Sequence, residues 1–116
     1  MKYLCLVYLD EQSVEAMSAE ETEACVRDSR AYDAALRQSG HMIAAHALKP
    51  VAMATTVRTR NGRVSTTDGP FAETKEQLGG FILIEARDLD DAIQVASSIP
   101  VGRLGCIEVR PVASLD

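Results

Sequence analysis

Lys2-Tyr3-Leu4-Cys5-Leu6-Val7-Tyr8-Leu9 carries a single charge, at its edge, and no alternation of polar with apolar residues. A strand with one face in water alternates with period two, because successive side chains point to opposite faces. This stretch does not alternate, so it predicts a strand buried on both sides. Gly80-Phe81-Ile82-Leu83-Ile84-Glu85-Ala86 has the same character near the other end of the chain. The fold must therefore supply cover for two faces of one sheet.

The elements around these strands follow from local signals. Ser18-Ala19-Glu20-Glu21 has capping-box spacing, which predicts a helix start, and Gly40 supplies the stop. Cys25, Ala31, Tyr32, Ala35 and Leu36 are expected on its buried stripe, with Glu23, Arg27, Arg30, Asp33 and Arg37 facing water. Residues 41–48 read as a short apolar strand ended by Pro50. Ala54–Arg60 and Arg63–Thr67 flank Asn61-Gly62, the signal for a type I′ hairpin. Thr74-Lys75-Glu76-Gln77 predicts one helical turn, ended by Gly79-Gly80. Asp88 caps a second helix, with Asp91 in its first turn complementing the dipole. Leu89, Ala92, Ile93 and Ala96 are expected inward, Pro100 ends the helix, and Leu104–Arg110 is the last strand.

The order is β-α-β, a hairpin insertion, then β-α-β. It predicts a single α+β domain over residues 1–116: a ferredoxin-like sandwich with both helices on one face of a mostly antiparallel sheet. Two helices cover one face only. A second copy of the same sheet is the simplest cover for the other, so the expected assembly is a homodimer.

Composition limits the function classes. A formal net charge of -5 argues against a nucleic-acid partner, and Arg58, Arg60 and Arg63 surround a turn without aromatic interleaving. No apolar run reaches the roughly 20 residues of a membrane span, and residues 1–9 lack a cleavage site, so a cytoplasmic protein is expected. Cys5, Cys25 and Cys106 are scattered at apolar positions and predict buried thiols rather than a disulfide framework or zinc site. His41 and His46, five residues apart, fall on opposite faces of a strand and make no metal pair. Neither a metal nor a cofactor is expected.

Asp68-Gly69-Pro70-Phe71-Ala72-Glu73-Thr74-Lys75-Glu76-Gln77-Leu78-Gly79-Gly80-Phe81 resembles the signature of the DGPF group within the YCII-related proteins. The opening MKYLCLVYLDE, the ATTVR strand, the DLDDA helix start and the closing IEVRPV match in the same order. The resemblance implies a dimeric α+β barrel, two ferredoxin-like sheets facing each other with helices outside. It implies less about activity. Members are mostly uncharacterised, although related dimeric barrels include isomerases, dehalogenases and cofactor-free monooxygenases. The YCII members proper pair a histidine on the first helix with an aspartate before a proline after the second. Ser29 and Ile99 stand at those positions here, so that acid–base dyad does not carry over. Similar proteins are encoded beside, or fused to, extracytoplasmic-function sigma factors, which implies a possible sigma-factor association.

Two readings of the stretch stay open. As a turn, Asp68-Gly69-Pro70 bends the chain, Phe71 anchors it, and Glu73, Lys75 and Glu76 are solvated. As a site, the loop closes over a cavity between sheet and helices, and burial raises a carboxylate pKa toward catalytic use. Asp68 is then the first candidate for a proton carrier and Glu73 the second. Phe71, Lys75 and the separate candidate His46 would contact the ligand. The expected function is binding of a small organic ligand in such a cavity. The alternatives are a cofactor-free acid–base enzyme using Asp68 and Glu73, or an accessory protein of a sigma factor.

Overall fold

The chain runs β1 (Lys2–Asp10), α1 (Glu11–Glu15), α2 (Ala19–Ser39), β2 (Met42–Ala47), β3 (Thr55–Arg60), β4 (Arg63–Asp68), β5 (Glu76–Glu85), α3 (Leu89–Ser97) and β6 (Gly105–Pro111). Short 3-10 turns occupy Val51–Met53 and Pro100–Leu104. These elements come from a computed structural model, which describes residues 1–115. The four long strands form one sheet in the order β2-β5-β1-β6, with every neighbouring pair antiparallel. This is the ferredoxin-like arrangement. The two apolar strands, β1 and β5, are its central pair, with Leu4 opposite Leu83 and Leu6 opposite Phe81.

One face of the sheet packs on α2 and α3. Tyr3, Cys5 and Val7 of β1 and Ile82 and Ile84 of β5 are buried there, against Leu36, Ala92, Val95 and Ile99. Cys5 and Ile84 are fully enclosed. The alternate side chains, Leu4, Leu6, Tyr8, Phe81 and Leu83, lie on the other face and are only half-buried in the single chain. Two-sided apolarity in the sequence thus corresponds to one covered face and one open one.

The helices end as their caps require. Ser18 Oγ accepts the Glu21 amide and Glu21 accepts the Ser18 amide, both at 3.1 Å. Those bonds hold the Glu21 carboxyl below its usual pKa. Gly40, at φ 84°, closes α2 in the left-handed conformation. Asp88 Oδ1 accepts the Asp91 amide at 2.9 Å to open α3. The Asn61-Gly62 turn has positive φ at both residues and joins β3 to β4 in a separate two-stranded sheet. Among the described residues, no helix is long and apolar enough to cross a membrane.

Four expectations need correction, and one element is new. Residues 74–77 form no helical turn: β5 begins at Glu76 and runs on through Gly79-Gly80. Helix α1 was not foreseen, although Asp10 caps it by accepting the Gln12 amide. On α2, Ala31 and Ala35 are exposed, and the inward stripe is Cys25, Ser29, Tyr32, Asp33 and Leu36. Alanine is too small to decide which way a helix faces. On α3, Leu89 and Ile93 are exposed, and the buried side chains are Asp91, Ala92, Val95 and Ala96. Cys106 is exposed rather than buried, because pairing with Tyr8 puts it on the open face of the sheet.

Candidate functional site

Gly79-Gly80 marks the place where the sheet is irregular. Val7 pairs with Gly80 but Tyr8 pairs with Leu78, so Gly79 is an extra residue bulged out of β5. The two glycines lie beneath α2. A cavity of about 190 Å³ opens there. Val7, Leu9, Ala45 and Ile82 join the two glycines in its floor, and Ile99 and Val101 close one end. Its wall is α2, which contributes Ser29, Tyr32 and Asp33.

These groups give the cavity an apolar body and few polar contacts. Tyr32 is already engaged: its hydroxyl donates to the Val95 carbonyl at 2.7 Å, and burial raises its pKa. That bond ties α2 to α3 and fixes the wall. Ser29 and Asp33 are one turn apart, so both project from the same side of the helix. Both positions that the resemblance assigns to an acid–base dyad, Ser29 and Ile99, line this cavity, and neither can move a proton near neutral pH.

The DGPF stretch lies elsewhere. Asp68, Glu73 and Lys75 border a separate open groove with Asp10, Glu11 and Glu15 of the β1–α1 corner. Asp68, Glu73 and Lys75 are all exposed, and Phe71 is 79% exposed, lining neither the groove nor the cavity. What the loop orders is its own main chain. The Gly69 amide donates to the Ala54 carbonyl at 2.7 Å, and Thr56 Oγ1 donates to the Gly69 carbonyl at 2.8 Å. Arg58 reaches the Phe71 carbonyl, and the Gln77 amide nitrogen donates to the carbonyls of Ala72 and Thr74. Gly69 sits at φ 101°, a conformation that a β-branched side chain resists.

His46 borders the cavity, but its ring is 5.7 Å from that of Phe81, its cross-strand partner on the open face. Neighbouring Ala45 faces the core instead. Asp68 and Glu73 thus share a groove with Lys75, while His46 is apart from them and Phe71 stands alone.

One polar cluster escaped the sequence reading. Asp91 is 6% exposed at the start of α3. Both of its carboxylate oxygens lie 3.1 Å from His41 Nε2, and Oδ2 accepts the Arg87 amide at 3.0 Å. The Arg87 amide first, and His41 after it, hold the Asp91 carboxyl down at about 2 despite its burial. Ser39 Oγ, 2.7 Å from His41 Nδ1, completes a chain linking the end of α2 to the start of α3. His41 and Asp91 are 50 residues apart, and no local pattern announces their contact. Among the described residues, no group of three or more His, Cys, Asp or Glu side chains could hold a metal ion.

The chain is 40% identical over 115 residues to an uncharacterised protein of Rhizobium meliloti (strain 1021), which covers 97% of this chain and 93% of that protein. The profile of the YCII-related domain matches residues 1–116. With that match along residues 1–116 and a relative 40% identical over 115 residues, the chain belongs to the YCII-related family.

Proposed function

We propose that the protein is a cytoplasmic homodimer that binds a small organic ligand in the cavity between its sheet and α2. The observation that carries this reading is the cavity itself: an apolar body over a glycine floor, with a few polar groups on one wall. Ligand sites commonly have this composition. Ser29 and Ile99 at the dyad positions favour binding over proton transfer. The test is a nuclear magnetic resonance titration with a panel of one-ring and short-chain organic compounds. Binding should shift the amides of Gly79, Gly80 and Ser29, and Ala45→Leu, which fills the floor, should abolish the shifts. A panel that leaves these amides unmoved, or moves them equally in Ala45→Leu, refutes the reading.

The open sheet face supports the dimer. Leu4, Leu6, Tyr8, Phe81 and Leu83 form one apolar patch on the two central strands, and water is a poor neighbour for it. Sedimentation at micromolar concentration should give twice the chain mass. Leu6→Asp should give a monomer or an unfolded chain, since an unpaired charge buried at the interface costs several kcal/mol, about 3–5 for a broken buried pair. A parent chain that stays monomeric at high concentration rules the dimer out.

A second reading draws on the groove that brings Asp68, Glu73 and Lys75 together. It would make this a cofactor-free acid–base enzyme with its chemistry in solvent, the two carboxylates carrying protons and Lys75 holding an anionic group. Binding data for Asp68→Asn, Glu73→Gln and Lys75→Met decide between the readings. Loss of binding in these three, with Ala45→Leu unaffected, would favour the groove. Sigma-factor association rests on the resemblance alone.

A further inference from the structure

We infer that the ligand of this cavity is a compact organic cation, a protonated amine on one ring or a short alkyl chain, held by Asp33. This rests on the cavity being the binding site, and it adds the chemical class.

Size sets the first limit. An apolar cavity of roughly 150 Å³ accepts benzene. The space here is about 190 Å³, enough for a ring with two or three further heavy atoms. Charge sets the second. Asp33 is half-buried on the α2 wall, where the helix otherwise turns its inward stripe to Cys25, Ser29, Tyr32 and Leu36. A carboxylate on the wall of an apolar cavity offers a charge-assisted contact to any ligand cation that reaches it. Arg30 and Arg37 are on the same helix, yet the ion pairs of the described residues include Arg27 with Asp28 and none with Asp33. No lysine or arginine lines the cavity, and the His46 ring at its border tilts against Phe81 on the open face.

Three classes of ligand then separate. An anion would meet Asp33 with no cation to offset it. A neutral molecule would fill the apolar body and leave the carboxylate unpaired. An ammonium group would pair with Asp33 and donate to the Ser29 hydroxyl one turn away, while its apolar part rests on Val7, Ile82 and the glycine floor.

The test uses benzylamine, benzyl alcohol and benzoate, which share a ring and differ in charge at pH 7. Each is titrated into the full chain, with amide shifts at the cavity as the readout. Benzylamine should bind at least about tenfold more tightly than benzyl alcohol, the scale of one charge-assisted hydrogen bond. Benzoate should be the weakest. Asp33→Asn should cost benzylamine about tenfold and leave benzyl alcohol within about twofold. Asp28→Asn, the same change on the outer side of α2, should leave both unchanged. Equal binding of alcohol and amine, tighter binding of benzoate, or equal losses in Asp28→Asn and Asp33→Asn would overturn the cation assignment while Ala45→Leu still shows the cavity to be the site. Absence of cavity shifts with all three probes in a folded chain would overturn both readings.

Discussion

Gly79 and Gly80 are adjacent, share the bulge and line the same cavity, yet alanine should act in opposite directions at the two. A Cβ on Gly80 would lie 2.9 Å from the His46 carbonyl oxygen and 3.4 Å from Ala47 Cα. Both contacts are backbone of the paired strand β2, so relief requires the strand to move by a few tenths of an ångström. Overpacking of this kind costs about 1–3 kcal/mol. Replacing glycine with alanine also removes freedom from the unfolded chain, which returns roughly 0.5–1 kcal/mol where the backbone permits it. Gly80→Ala should therefore lose up to about 2.5 kcal/mol net, a drop of several degrees in Tm. A Cβ on Gly79 would lie 2.7 Å from Leu9 Cδ1, the far end of a side chain that can change rotamer. There the entropy gain is not cancelled, so Gly79→Ala should be neutral or stabilising by up to about 0.5 kcal/mol. Urea unfolding of the two variants beside the parent, with unchanged m-values, measures the difference. Gly80→Ala at or above parental stability, or Gly79→Ala below it by more than Gly80→Ala, would mean that the β2–β5 contact does not set the shape of the cavity.

Two further expectations come from groups outside the cavity. Asp91 has its pKa lowered from 3.8 to about 2 in the folded chain, so its carboxylate stabilises the fold above pH 4 and that contribution is lost as pH falls toward 2. The stability gap between the parent and Asp91→Asn should be widest above about pH 5 and narrow progressively as pH falls from about 4 toward 2, measured by urea unfolding at each pH; a gap that does not change with pH refutes the assignment. Cys5, fully enclosed and with its pKa raised by burial to about 11, should resist a thiol reagent under native conditions. Cys106 on the open face should react in the monomer and become protected as the chain dimerises, so reaction at the same rate across all concentrations would argue against a partner over this face.

How much of this was legible in the sequence depends on the kind of signal. The strands, the hairpin and the helix ends could be read because each rests on a few adjacent residues: an unbroken apolar run, Asn61-Gly62, and Ser18 with Glu21. The facing of α2 could not. Five alanines in Ala19–Ser39 fit either side of the helix, and Asp33 reads as a solvent residue until its contacts are known. One clue was available: Cys25 and Leu36 are 11 residues apart, three turns, and a straight line between them passes Ser29 and Tyr32. Gly79-Gly80 was misread for a different reason. Glycine stops a helix and also bends a strand, and only pairing with Val7 and Tyr8 distinguishes the two. The contact of His41 with Asp91 depends on how the end of α2 meets α3, which no local rule supplies.

The DGPF stretch can be a turn and still matter to the site. Its charged groups Asp68, Glu73 and Lys75 stay in solvent, while its carbonyls are gripped from both sides: Thr56 and Arg58 of β3 hold Gly69 and Phe71, and Gln77 of β5 holds Ala72 and Thr74. Gln77 pairs with Leu9, one step from the register shift that bulges Gly79 out of β5. A one-residue slip at Gln77 would turn the following side chains to the wrong face, because the strand period is two. Fixing the loop therefore fixes where β5 begins, and with it which glycines lie under α2. The loop meets the cavity through the backbone, by holding the register that places Gly79 and Gly80 in its floor.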